Sequence, residues 1–262
     1  MRTRLDAELV RRGLARSREH AVDLIESRSI LVRGIPASKP ATQVDAETSI
    51  TLAEARDEYV SRGGHKLAGA LDALSEISVS GKIALDAGAS TGGFTDVLLK
   101  RGASKVIAVD VGYGQLAWEL RQDPRVEIYD RTNVRNLSPE IIRDPVDLVV
   151  ADLSFISLTL VIPALTSVSK PEADFLIMVK PQFEVGREKL GAGGVVRDPQ
   201  LRRSAVLEVA KSAHELGLGT LGVVASPLPG PSGNVEYFLW LRRGAAMIAE
   251  SAIDDAIAKG PQ

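Results

Sequence analysis

One stretch sets most of the terms on which this chain can fold: Ile83-Ala-Leu-Asp86-Ala-Gly88-Ala-Ser90-Thr91-Gly92-Gly93-Phe94-Thr95. An apolar run ends in Asp86, turns through glycines, and opens a helix-like run at Phe94. This is the strand, loop and helix start of a nucleotide-binding α/β unit, in which glycines let the backbone approach a ligand and first-turn amides point at it. A dinucleotide fold wants G-x-G-x-x-G, whereas this loop reads Gly88-x-x-x-Gly92-Gly93, so that fingerprint is not met. A second acid, Asp110, closes the next apolar strand, Val106–Asp110. Two strand-end acids around such a loop suit a ligand with a ribose and no pyrophosphate, of which S-adenosylmethionine is the commonest. Asp110 is expected to accept from the ribose hydroxyls. Asp86 and the loop residues Gly88, Ser90, Thr91, Gly92, Gly93 and Phe94 are expected to hold the amino-acid end, with Asn133 and Asp152 completing the cofactor set. A tight βα turn without a ligand is the competing reading of the glycines.

With 262 residues, 45% of them hydrophobic, the chain can bury the core of one large domain and one small one. There is no cysteine and there are three scattered histidines, so neither a disulfide framework nor a metal cluster is expected. Chemistry must run on Lys, Asp, Glu and a cofactor. No apolar run approaches the roughly 18–20 residues of a spanning helix, and the start Met1-Arg-Thr-Arg lacks a secretory h-region, which predicts a cytoplasmic protein. The net charge of −2 does not announce a nucleic-acid binder, but residues 1–39 carry nine Lys/Arg against five Asp/Glu.

Leu5, Leu9 and Val10 recur at helical spacing with Gly13 as a stop, and Ser17 can cap a second helix carrying Ala21, Val22, Leu24 and Ile25. Ile30–Gly34 and Ser49–Leu52 read as strands. The charged run Glu54–Glu58 is a candidate linker, giving domains 1–58 and 59–262. Beyond it, Leu67, Ala70, Leu71 and Leu74 place Lys66 in the first turn of a helix. The dipole disfavours a cation there, so something other than helix stability is expected to have placed it.

From Asp110 on, strands alternate with helices: helix 115–121, strands 126–129 and 146–151, helix 158–168, strand 175–179, helix 201–216, strand 220–225 and a last strand 235–241. This predicts an α/β fold, a doubly wound Rossmann-like sheet with an antiparallel last strand behind a small α+β domain. Ligands sit at the carboxyl ends of such strands. Asp152 follows one strand end and Lys180 another. Glu236 precedes an antiparallel strand, hence lies at the same edge, and Lys66 can join them. The set Lys66, Asp152, Lys180, Glu236 is charge-balanced, as a partly buried cluster must be; a structural ion-pair network is the alternative. A lysine among other charges can serve as general base toward a weakly acidic alcohol, and Lys180 is the choice. Phe155 and Phe183 are candidates to stack on a base, with core packing as the alternative. The glycine-rich, basic loop 186–194, with Arg187 and Lys189, has the composition of a lid that touches phosphate, and Arg62 lies ahead of Lys66.

The patterns R-L-D-x-x-L, G-L-A-x-S-R and A-x-x-L-I at the start resemble the S4 RNA-binding domain, which implies Arg4, Arg16, Arg18, Arg33 and Lys39 as RNA contacts. Arg33 stands where that family often has Asn. The S-R-G-G-H-K-L run, the D-A-G-A-S-T-G-G-F-T loop, A-D-L-S-F-I-S, V-K-P-Q-F-E and the K-D-K-E set, behind an S4 domain, are similar to the TlyA family of ribosomal RNA 2'-O-methyltransferases, related to FtsJ. That resemblance implies methyl transfer from S-adenosylmethionine to a cytidine 2'-hydroxyl in small-subunit and, for some members, large-subunit rRNA within ribosomal subunits. Some members have an R-x-W-V linker; here the residues are Asp57-Glu-Tyr59-Val60. The family is also labelled haemolysin. A membrane-active protein, a catalytically silent RNA-binding protein and a small-molecule methyltransferase are the competing classes.

Overall fold

The computed structural model describes residues 3–26, 29–52 and 59–260. The chain divides into two compact units, Met1–Glu58 and Tyr59–Gln262. The linker expected over Glu54–Glu58 lies outside the described residues.

The first unit runs β1 (Thr3–Arg4), α1 (Leu5–Arg11), α2 (Arg18–Glu26), β2 (Ile30–Val32), β3 (Ile35–Pro36), β4 (Gln43–Val44) and β5 (Ile50–Leu52). Gly13 ends the first helix at φ +72°, a left-handed turn that costs glycine nothing. Ser17 Oγ accepts the His20 amide at 3.1 Å and so caps the second. The apolar stripes of both helices meet in a core of Leu5, Leu9, Ala21, Ile25 and Ile30, all fully buried. β1, β3 and β4 went unseen in the sequence because two residues carry no periodicity.

The second unit runs α3 (Arg62–Ala73), β6 (Ile83–Ala87), α4 (Gly93–Lys100), β7 (Lys105–Val109), α5 (Trp118–Gln122), β8 (Val126–Tyr129), β9 (Val146–Ala151), α6 (Ile162–Ser167), β10 (Ser169–Val179), α7 (Pro181–Glu184), α8 (Pro199–Glu215), β11 (Leu218–Ala225), β12 (Tyr237–Arg243) and α9 (Glu250–Lys259). The seven-stranded sheet has the order β11-β12-β10-β9-β6-β7-β8, parallel from β10 to β8, with β12 antiparallel between β10 and β11. Side chains alternate across it with period two. Leu85, Ile107, Val149, Phe175 and Leu239 enter one core layer, whereas Ala84, Val106, Leu148, Leu176 and Phe238 enter the other. Burial on both faces explains why these strands are near-continuous apolar runs. The chain leaves β6 toward β7 on one side and reaches β9 on the other, so β6 and β9 flank the switch point where α/β sheets open a crevice.

Three differences from the expected boundaries exceed a shift of a few residues or bear on the site. Helix α3 begins at Arg62, which puts Lys66 in its second turn, where the dipole penalty has faded. The helix expected over 158–168 is a 3-10 turn, Leu158–Leu160, followed by a short α6. β10 begins six residues early, at Ser169, with its register to β9 shifted between Ser169 and Asp174.

Asp174, 2% exposed, lies within β10 and accepts from Lys82 Nζ (2.9 Å), Trp240 Nε1 (2.8 Å) and Arg242 Nε (2.9 Å). Burial pushes its carboxyl up, but these bonds outweigh burial and hold it below the usual range. Asp174→Ala leaves the indole N–H and both cations without their acceptor. It should lower the unfolding free energy by about 2–3 kcal/mol in urea titrations.

Candidate active site

The loop after β6 is shaped by close approach. At Gly88, φ +89°, an added Cβ would lie 2.5 Å from the Asp152 carbonyl oxygen, and the Asp152 amide donates to Ala87 O at 3.0 Å. The loop thus lies directly against the end of β9. At Gly93 a Cβ would lie 2.3 Å from Ser61 Oγ and 2.7 Å from Gly64 N, so this glycine lets α4 abut the start of α3. Gly92 sits against Leu116 and Leu120 in the same way.

Between the β6 and β7 loops and the end of β9 opens a cleft of about 630 Å³, the size of a small-molecule site. Of the residues predicted to hold the cofactor, Gly88, Ser90, Asp110, Asn133 and Asp152 line it. Asp86, Gly92, Gly93 and Phe94 are buried behind that lining, and Thr91 is exposed outside it, its carbonyl accepting the Ala117 amide. They shape the loop from outside that lining. Gly112, Gln115 and Ser154 line the cleft without having been expected, because nothing local distinguishes them from ordinary loop residues. Asp110 is fixed at both oxygens, by the Ser90 amide at 2.8 Å and the Gly112 amide at 2.7 Å.

Asp86 is wholly buried, with Oδ2 bonded to Thr95 Oγ1 at 2.6 Å and Oδ1 without a protein partner. Burial pushes its carboxyl up to about 7; the Thr95 bond opposes the rise and the charges of Asp152 and Asp110 add to it. Three carboxyl groups therefore crowd one loop, an arrangement that a cationic ligand relieves.

The four charged residues meet as two pairs. Lys66 Nζ lies 2.6 Å from Glu236 Oε2, both side chains at most 5% exposed. Lys180 Nζ lies 2.5 Å from Asp152 Oδ1 and donates to Ser154 Oγ at 3.0 Å. β10 pairs with β12 up to Val179–Tyr237, so Lys180 and Glu236 lie at the same edge, one position beyond that last pair. Asp152 belongs both to the cleft lining and to the Lys180 pair. The cofactor side and the basic side of the site share this carboxylate.

Phe155 is 91% exposed and in the left-handed region at φ +64°, its ring 5.1 Å from that of Phe183. Core packing is thereby ruled out for Phe155. The loop that carries Phe155 is stapled to α7, which carries Phe183, by Glu184, which accepts from Ser157 Oγ at 2.5 Å and from the Leu158 amide at 2.9 Å. The glycine-rich loop is gripped at its far stem. Asn234 Oδ1 accepts the Val196 amide at 2.9 Å, while Arg202 donates to the Val196 and Arg197 carbonyls at 3.0 and 2.9 Å. Lys189 is exposed on this loop, and the Arg187 side chain lies outside the described residues. Arg62 donates to Pro229 O at 2.7 Å and braces the proline-rich loop ahead of Glu236. In the small unit Arg4, Arg16, Arg18, Arg33 and Lys39 are all exposed, and both Arg4 and Arg18 are held by Asp6.

Residues 59–243 match the FtsJ-like methyltransferase family and residues 3–50 the S4 domain. The chain is 59% identical, over 99% of both chains, to the 16S/23S rRNA (cytidine-2'-O)-methyltransferase TlyA of Mycobacterium tuberculosis. The chain belongs to the TlyA family of FtsJ-like methyltransferases. It is also 31% identical to the 23S rRNA (cytidine-2'-O)-methyltransferase TlyA of Campylobacter jejuni, over 86% of this chain and 93% of that one. A solved structure named as a hemolysin from Streptococcus thermophilus superposes with a TM-score of 0.78 at 36% identity, covering 98% of this chain and 95% of that one. Use of S-adenosylmethionine follows from the family.

One consequence of the buried loop acid in this TlyA-family chain is a pH dependence of its stability. Asp86 keeps its proton to about pH 7 in the fold, whereas an unfolded aspartate loses it near about 3.9. Between those values the folded state binds more protons, so stability falls as pH rises through the window and levels off above it. Asp86→Asn should flatten that slope in urea titrations across the same range.

Proposed function

We propose that the protein transfers the methyl group of S-adenosylmethionine to the 2'-hydroxyl of a cytidine in ribosomal RNA, acting in the cytoplasm on small and, as a second substrate, large ribosomal subunits. The observation that carries this reading is Asp152, which lines the cofactor cleft and pairs with Lys180 at the same strand edge as the buried Lys66–Glu236 pair. The cleft fits the cofactor: Asp110 is fixed where a ribose diol needs an acceptor, and the orphaned Asp86 oxygen lies in an acid cluster suited to a ligand bearing ammonium and sulfonium charges. When bound, that cofactor supplies an electrophilic methyl group.

What remains is the chain's own work. Lys180 is the general base toward the hydroxyl in this reading, its nitrogen held by Asp152 and Ser154. Lys66 and Glu236 neutralise each other within the wall behind it, so the wall presents no net charge to the reacting oxygen. Positioning is the main catalytic contribution. A nucleotide must leave its helix to reach the site, at an unstacking cost of about a few kcal/mol, and the exposed Phe155 ring with Phe183 beside it provides a surface for the freed base. Relatives carry the name hemolysin, yet no helix among the described residues is long and apolar enough to cross a membrane.

The decisive measurement is tritiated methyl transfer to purified 30S and 50S subunits, followed by mapping of the modified position. Lys180→Ala should abolish transfer while cofactor affinity stays within about a few-fold; a fully active variant would remove Lys180 as the base. Phe155→Ala should keep the fold and lower kcat/KM for the subunits by about tenfold through loss of base stacking, with S-adenosylmethionine affinity measured alongside because the ring also lines the cleft. An unchanged value would return the ring to a role outside recognition.

A further inference from the structure

The small unit displays an arrangement that fold stability does not explain. Arg4 precedes α1 as its N-cap without making a side-chain cap, and Arg18 is the first residue of α2. Both are cations at helix N-termini, the end at which the dipole repels them. Both reach the same carboxylate. Arg4 gives Asp6 a two-point contact, Nε to Oδ1 at 3.1 Å and Nη2 to Oδ2 at 2.9 Å, and Arg18 Nη2 meets Oδ2 at 3.0 Å. The carboxylate is itself held in place, because Oδ1 also accepts the Ala7 amide at 2.8 Å.

Exposure in this triad is lopsided. The Asp6 side chain is 4% exposed, while those of Arg4 and Arg18 are 47% and 62% exposed. An approaching polyanion therefore meets two guanidinium groups and not the acid that orients them. Of five donors in each fork, Arg4 directs two and Arg18 one at Asp6, and neither makes another side-chain hydrogen bond among the described residues. The neighbouring pair shows the contrast. Glu8, equally buried, holds Arg11 and Arg12, but Arg12 also donates to the carbonyls of Thr48, Asp45 and Ala46 and is spent on bracing the fold.

We propose that Asp6 is a positioning residue of the RNA-binding face: it fixes Arg4 and Arg18 in one shared orientation, with their remaining donors turned outward, to grip adjacent phosphates. The proposal rests on the reading that this unit binds RNA. Long side chains lose rotamer freedom when they bind, and a residue that removes that freedom beforehand strengthens binding although it subtracts charge. Burial of Asp6 is what lets it do so without standing between the arginines and the phosphates.

The sign of one substitution separates this from simple charge counting. Asp6→Asn removes a negative charge from a face that meets phosphates, so electrostatics alone predicts tighter binding with a steeper salt dependence. Positioning predicts the opposite, binding to purified ribosomal subunits weakened roughly three- to tenfold. The full chain is titrated with 30S and 50S subunits by filter binding at several salt concentrations, with thermal melting and S-adenosylmethionine binding as controls of integrity. Arg4→Lys, which keeps the charge and the acid but loses the two-point fork, should weaken binding as well and covers the case in which Asp6→Asn does not fold. If Arg18→Ala weakens binding while Asp6→Asn tightens it or leaves it unchanged, the positioning role is overturned and the RNA-binding reading stands. If neither Arg4→Ala nor Arg18→Ala changes affinity for either subunit, this is not the RNA face and the proposal falls with that reading. Unchanged affinity in Arg4→Lys would also overturn it.

Discussion

The larger unit depends most on one buried contact, Lys66 Nζ against Glu236 Oε2. Removing an ammonium and a carboxylate from water costs several kcal/mol each, and their attraction returns that only while the geometry holds. The pair joins the first helix of the unit to the residue that leads into its last strand, 170 positions away. That demand fixes the direction of β12. Were β12 parallel to its neighbours, Glu236 would stand at the opposite end of a seven-residue strand, about 20 Å from the edge where Lys180 and Asp152 lie. The antiparallel insertion of β12 between β10 and β11 is therefore what brings all four charged residues to one edge.

Much of this was legible in the sequence, for identifiable reasons. The strands are apolar on both faces, so they announce themselves as runs, and three of the four charged candidates abut such a run: Asp152 after β9, Lys180 after β10, Glu236 before β12. Local chemistry marked these positions. What escaped was set by contacts distant in sequence. The glycines at 92 and 93 read as ligand contacts, and the sequence did not show that Leu116, Leu120, Ser61 and Gly64 also require their lack of a side chain. Arg62, expected among the RNA contacts, also braces the Pro229 carbonyl, 167 residues on, a task invisible in the local sequence. The tasks of Ser154 and Glu184 stayed hidden within their motifs, since the partner that gives each its task becomes adjacent only in the fold.

The two units treat their charges by a common rule. In the small unit a carboxylate 3% exposed holds two arginines whose side chains face water; in the large one a half-buried carboxylate, Asp152, holds a lysine that is 8% exposed. In each case the partner limits the orientations open to a cation, so less freedom remains to be lost when substrate arrives. The difference is which member is hidden. In the small unit the cations are left outside, and in the large one the cation is kept within the wall.

The exposed ring of Phe155 extends the same argument to an uncharged group. Folding alone disfavours it twice: a phenyl side chain left in water forgoes about 2 kcal/mol of burial, and a left-handed backbone at a non-glycine residue costs about 1–3 kcal/mol more. Against this the fold invests several contacts in keeping the loop where it is, the Lys180–Ser154 bond, the Glu184 staple and the Phe183 ring. The same contacts that fix the proposed base also fix the ring. A base stacked on Phe155 would therefore bring its own ribose toward Lys180 at a distance set by the protein, which ties recognition of the nucleotide to delivery of its hydroxyl.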